Sequence, residues 1–170
     1  MYIKFIIIYS MHTHHYQTTT TWTGNTGNGT ATYLGYERSH LITVDGKPPL
    51  PGSSDPSFRG DRSRYNPEEL LVAALSACHM LFFLHICAVT GVVVTDYTDH
   101  AEGTMVESSN GSGHFTEVTL SPNVIVKDRN MIEATHHAHQ EAAKLCFIAN
   151  SVKFPVHHKP ICGAESNELD

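Results

Sequence analysis

Along this 170-residue chain the spacing of apolar residues changes several times, and each change predicts an element. From His15 to Thr23 β-branched and aromatic residues alternate at the two-residue period of a strand, and the GNTGNG that follows reads as a turn. Residues 31–44 (ATYLGYERSHLITV) read as a second strand or strand pair. Gly46 to Arg64, with Pro48, Pro49, Pro51 and Pro56, reads as a loop long enough to be functional or to join an interface.

At Asn66 the period lengthens to that of a helix. Asn66 suits a cap, Pro67 the first helical position, Glu68 and Glu69 the positive end of the dipole, and Gly91 the stop. VVVTDYTDHAEGTMVE and HFTEVTLSPNVIV predict two strands joined by the turn SSNGSG. Residues 130–145 predict a polar-faced helix, and Val152 to Ile161 a short strand carrying Pro155. The length suits one core: residues 1–14 read as an N-terminal extension and residues 15–170 as a single domain.

The apolar stretch from Leu70 to Val94 is interrupted by Ser76, His79, His85 and Thr90, which fits a buried helix better than a membrane span. The opening MYIKFIIIYS has an apolar run, Phe5 to Tyr9, shorter than a signal-peptide core. It reads as an edge strand or as extension upstream of a start at Met11. A net charge of -6 leaves no basic field for a phosphate backbone, so nucleic acid is not an expected partner. The expected compartment is the cytosol, where four cysteines are thiols rather than a disulfide framework.

Which thiol does chemistry depends on its surroundings. At 100° per residue the face of Cys78 includes Leu71, Ala74, Leu75, Leu81, Phe82, His85 and Ile86, a narrow apolar slot that suits an organic peroxide better than hydrogen peroxide. A lone cysteine on an apolar helix is also commonly just a small hydrophobe. Cys87 lies nine residues on, on the opposite face and about 13 Å along the axis, so it cannot pair with Cys78. Cys146 sits where the second helix ends, and spacing alone does not bring it to Cys78.

The segment from Asn66 to Met80, NPEELLVAALSACHM, and the segment around Cys146, KLCFIANSV, resemble the two cysteine motifs of the OsmC/Ohr family of organic hydroperoxide reductases. The resemblance extends over roughly Tyr16 to Pro160. It implies an α+β, OsmC-like fold with two long central helices packed against curved antiparallel β-sheets in an intertwined homodimer. It also implies that Cys78 is the peroxidatic cysteine and Cys146 the resolving one, closing an intramolecular disulfide. Glu68 matches the glutamate that fixes an arginine near the thiolate. For that arginine Arg59 is the first candidate and Arg38 the second, with Arg62 and Arg64 in the same loop as Arg59.

By the same resemblance the substrate is an organic hydroperoxide, the reductant a dithiol such as a lipoyl group, and no cofactor or metal is required. An arginine beside the sulfur favours thiolate and donates to the peroxide oxygens, while the carboxylate holds the guanidinium in a bidentate geometry. Glu68 and Cys78 stand about 15 Å apart along one straight helix, which favours a glutamate acting from the partner chain.

Two rivals remain. Thirteen histidines, with His136, His137 and His139 on one helix and His157 beside His158, raise a metal-binding reading, although polar histidines on an exposed helix face are common. A non-catalytic binding or stress protein of the same fold is the other. His79 and His85 are expected to serve packing or hydrogen bonding rather than as a base.

Overall fold

Strand-like alternation is realised in shorter pieces than the sequence predicts. The computed structural model describes residues 12–165. The extension expected over residues 1–14 therefore lies outside the described residues except for 12–14, which are coil. The chain divides into two compact units at Asn66/Pro67.

The first unit carries one antiparallel sheet: β1 (Thr19–Trp22), β2 (His40–Thr43) and β3 (Leu50–Gly52), with β2 in the middle. The strand expected from His15 begins only at Thr19. The strand or strand pair expected over residues 31–44 is reduced to β2, because turn chemistry outcompetes β propensity over residues 25–38. Asn25 Oδ1 accepts from the amides of Gly27 and Gly29 at 2.9 and 3.0 Å, and Thr26 Oγ1 donates to the Gly35 carbonyl at 2.6 Å. Arg38 then donates to the carbonyls of Tyr36 and Tyr33 at 2.6 and 2.8 Å. The expected loop between Gly46 and Arg64 contains β3 and a 3-10 turn, Pro56–Phe58, that Asp55 caps through the Ser57 amide at 2.7 Å.

The second unit begins with the helix whose ends the sequence marks: α1 spans Pro67–Thr90, with Glu68 and Glu69 in its first turn. Gly91 follows at φ +80°, a conformation that glycine adopts without strain. The buried row of α1 is Leu75, His79, Phe83 and Cys87, one residue per turn. By length and composition alone α1 is long and apolar enough to cross a membrane.

Each of the two strands predicted after α1 breaks in the middle, giving β4 (Val94–Asp99) and β5 (Glu102–Glu107), then β6 (Gly113–Leu120) and β7 (Pro122–Val126). The breaks face each other. Asp99 Oδ1 accepts from the Ser121 amide at 2.7 Å, while its Oδ2 accepts from Ser76 Oγ on α1 at 2.5 Å. β4 therefore pairs with β7 and β5 with β6, in separate sheets.

The strand expected from Val152 to Ile161 is reduced to β8 (Val156–His158) beside β6, and a further strand, β9 (Ile161–Ala164), begins where it was expected to end and lies beside β7. Both of these pairs are parallel. The expectation of antiparallel sheets is corrected accordingly: a long crossover through a helix returns the chain in the same direction as its neighbour. That helix, α2 (Ile132–Leu145), has 14 residues against 24 for α1, so only the first is long. Phe83, Cys87, Val124, Val126, Ala138 and Ala142 form one core cluster, and Leu75, Val118 and Leu120 a second.

Candidate active site

Cys78 lies one position off the buried row of α1, half-buried and reachable by solvent. Cys146 ends α2 as its C-cap, with extended backbone (φ -61°, ψ 110°) and a side chain only 1% exposed. The helix buries Thr135, Ala138, His139 and Ala142, and the same face carries Cys146 into the interior. A 3-10 turn, Ala149–Ser151, follows and directs the Ala149 amide to Cys146 Sγ at 3.4 Å.

The two cysteines, 68 residues apart in sequence, lie close enough to interact. Burial, and then the neighbouring Cys78, push the Cys146 thiol up to about 11, against the opposing pull of the Ala149 amide.

The other two cysteines occupy a different region. Cys87 is 1% exposed, and burial, with the neighbouring Cys162 second, pushes its thiol up to about 11. Burial also raises Cys162 on β9, whose sulfur lies 3.9 Å from His136 Nδ1. No sequence motif indicates the proximity of Cys87 and Cys162, which arises from the parallel pairing of β9 with β7.

A group of histidines fills the seam between the helices. His79 Nε2 and His139 Nδ1 are hydrogen-bonded at 3.0 Å, Phe83 stacks on His139 with centroids 3.9 Å apart, and His158 lies 4.5 Å from His79. His79 is 0% and His139 2% exposed. Burial is the first cause holding both imidazoles neutral, at about 3 for His79 and about 4 for His139, with neighbouring histidines adding to it. The expectation of histidines on an exposed face fails for His139. His79 stands four residues from Leu75 and from Phe83, a spacing that would have placed it in the core. Among the described residues no three His, Cys, Asp or Glu side chains form a group that could hold a metal ion. His85, by contrast, is exposed.

Glu68 stands in the first turn of α1, with Oε2 buried and without a hydrogen-bond partner among the described residues. In the first unit, Arg38 lies over the rings of Tyr33 and Tyr36, 4.5 and 4.0 Å from their centroids. Arg59, left-handed at φ 66°, closes the Pro56–Phe58 turn, its guanidinium 5.9 Å from the Tyr33 centroid. Arg64 pairs with Asp61 at 3.2 Å, and Arg62 helps hold Asp55 below its ordinary range, after the hydrogen bonds from Ser57.

The family model described as OsmC-like protein matches residues 60–160, which include both cysteines of the pair. A solved OsmC-like protein of unknown function from Vibrio cholerae is 32% identical, with 88% of this chain and 100% of that chain covered and a TM-score of 0.79. An organic hydroperoxide resistance protein from Elizabethkingia anophelis is 19% identical, with 91% and 100% covered and a TM-score of 0.63. For OhrB, the organic hydroperoxide resistance protein of Bacillus subtilis, the identity is again 19%, the coverage 86% and 98%, and the TM-score 0.58. At that identity the last two establish likeness of fold alone. No curated protein matches the chain. With the family model spanning more than half of its length, and a 32% identical structure overlapping most of it, the chain belongs to the OsmC-like family.

Proposed function

We propose that this protein is a thiol-dependent peroxidase that reduces organic hydroperoxides to alcohols, with Cys78 as the peroxidatic and Cys146 as the resolving cysteine. The observation that carries the reading is the proximity of the two thiols, one accessible and the other buried with its proton held tightly. The Cys78 thiolate attacks the O–O bond. One oxygen stays on sulfur as the sulfenic acid, and the other leaves as alkoxide and takes a proton to become the alcohol. Cys146 then condenses with the sulfenic acid, releasing water and closing the disulfide before a second peroxide drives Cys78 to the sulfinic state. A dithiol, for which a lipoyl group is the candidate class, restores both thiols with two electrons. A reducing, cytosolic setting fits that cycle.

Glu68 and an arginine complete the site on this reading. A buried carboxylate oxygen without a partner is costly, and a guanidinium supplies the missing donors. Arg59 remains the first candidate, since Arg38 is already committed to two carbonyls. Glu68 lies about 15 Å along α1 from Cys78, so the proposal includes a homodimer in which a second copy brings the carboxylate to the sulfur. Apolar side chains left uncovered on α1, among them Leu81 at 62% and Val89 at 67% exposed, support that association.

The test is consumption of tert-butyl and cumene hydroperoxides with a dithiol donor, by the wild type and by Cys78→Ser, with and without a chelator. Chelator-insensitive turnover that is lost in the variant is expected. A wild type that consumes neither peroxide overturns the reading.

A further inference from the structure

Directly after the resolving cysteine stands Phe147, an aromatic side chain 68% exposed to solvent. Single exposed hydrophobes are ordinary, but this one is held in place. Its ring meets Phe82 edge-on, with centroids 4.9 Å apart and planes at 89°. Its backbone is fixed by the turn that follows, since its carbonyl accepts from Ser151 Oγ at 2.7 Å. On either side, Cys146 O accepts from the Asn150 amide and Lys144 O from Asn150 Nδ2, both at 3.0 Å.

The ring pair and the sulfur pair bridge the same two pieces of chain. Phe82 stands four residues after Cys78 on α1, one turn on and about 6 Å along the axis, and Phe147 is the residue after Cys146. Phe82 therefore shares a face of α1 with the sulfur that meets the peroxide, one turn further on.

We propose that Phe147, seated against Phe82, is a specificity-determining residue that receives the organic group of the substrate and selects aryl-bearing hydroperoxides over small alkyl ones. The proposal rests on the peroxidase reading for its reaction, though not for its binding site. Edge-to-face contact leaves ring surface open for a further aromatic group, and a planar substituent gains more from such surface than a compact one of similar polarity.

The deciding experiment compares the wild type with Phe147→Ala and Phe147→Tyr in two arms. In the first, kcat and KM are measured for cumene and tert-butyl hydroperoxide. The ratio of the two kcat/KM values is expected to fall about tenfold in Phe147→Ala, chiefly through KM for the aryl substrate, and to be kept within about twofold in Phe147→Tyr. A ratio unchanged in Phe147→Ala overturns the proposal. So does an equal fall for both peroxides, which signals a general disturbance of the dithiol.

The second arm does not depend on catalysis. The unreactive alcohols 2-phenyl-2-propanol and tert-butanol are titrated into the reduced protein and followed by NMR. Shifts near Phe82 with the aryl alcohol, weakened at least fivefold in Phe147→Ala, support the seat even if the wild type reduces no peroxide. In that outcome the peroxidase reading fails and the binding site stands. Equal binding of 2-phenyl-2-propanol by wild type and Phe147→Ala, or no binding by either, overturns the seat.

Discussion

Cys146, buried at the end of α2, interacts with the half-buried Cys78 of α1, so one accessible and one inaccessible thiol stand side by side. Burial keeps the proton on Cys146. The neighbouring positions put the second sulfur beside the place where a sulfenic acid on the first would form.

Replacing Cys78 by serine is therefore expected to abolish hydroperoxide reduction while leaving the fold intact, because the hydroxyl is close in size and un-ionised at neutral pH. Circular dichroism and thermal unfolding report the fold, and a coupled dithiol assay the activity. Substantial turnover by a folded Cys78→Ser protein would sink the assignment.

Alkylation provides a second, independent check on the four thiols. At pH 7 Cys78 is half-exposed, while Cys87 and Cys146 are buried with thiols pushed up to about 11 and Cys162 is raised by burial. Iodoacetamide under native conditions is expected to label Cys78 at least tenfold faster than any other cysteine, since only the thiolate reacts. Peptide mapping over a time course measures the order, and initial labelling at Cys87 or Cys162 would contradict the description of the site.

The elements that could be read from sequence are those whose signals are local. Pro67, Glu68, Glu69 and Gly91 mark both ends of α1 because capping and dipole chemistry act within one turn. The strand breaks opposite Asp99 and Ser121 were hidden because they depend on a hydrogen bond between residues 22 apart. β2 was overestimated because Asn25, Thr26 and Arg38 form side-chain bonds to the backbone that compete with a ladder. At the site, Cys78 and Cys146 could be named only by resemblance, since their meeting depends on how α1 and α2 pack. The His79–His139 contact has the same origin.

That contact predicts an acid-sensitive fold. Both imidazoles are buried neutral, with folded values of about 3 and about 4 below an ordinary value of 6.5. A depressed folded pKa means that the unfolded chain binds the extra protons. The stabilising contribution is thus full above about pH 6.5 and is lost as pH falls from there towards 4 and 3. The two groups together steepen the loss by at most roughly 3 kcal/mol per pH unit. Urea unfolding between pH 7.5 and 4.5 is expected to show this slope, and His79→Leu with His139→Leu to flatten it relative to the wild type. Equal slopes in both proteins would show that the carboxylates alone set the acid limit.

The role of Cys146 is separable from that of Cys78 by a single substitution. Cys146→Ser leaves the attacking sulfur in place on α1 together with the apolar side chains near it, so one equivalent of an organic hydroperoxide is still expected to react. The hydroxyl that replaces the thiol cannot condense with a sulfenic acid to form a disulfide. The sulfenic acid should therefore persist, be trapped by a carbon nucleophile such as dimedone, and advance to the sulfinic acid with excess peroxide. Steady-state turnover with a dithiol should fall, partly restored by external thiols small enough to reach Cys78. Cys87→Ser and Cys162→Ser should leave both behaviours unchanged, because Cys87 lies on the opposite face of α1 and Cys162 neighbours Cys87 rather than Cys78. Intact-mass and peptide analysis after one equivalent of peroxide decides it. A Cys78–Cys146 disulfide in the wild type and a dimedone adduct on Cys78 in Cys146→Ser are expected, and a disulfide from Cys78 to Cys87 or Cys162 would transfer the resolving role to another thiol.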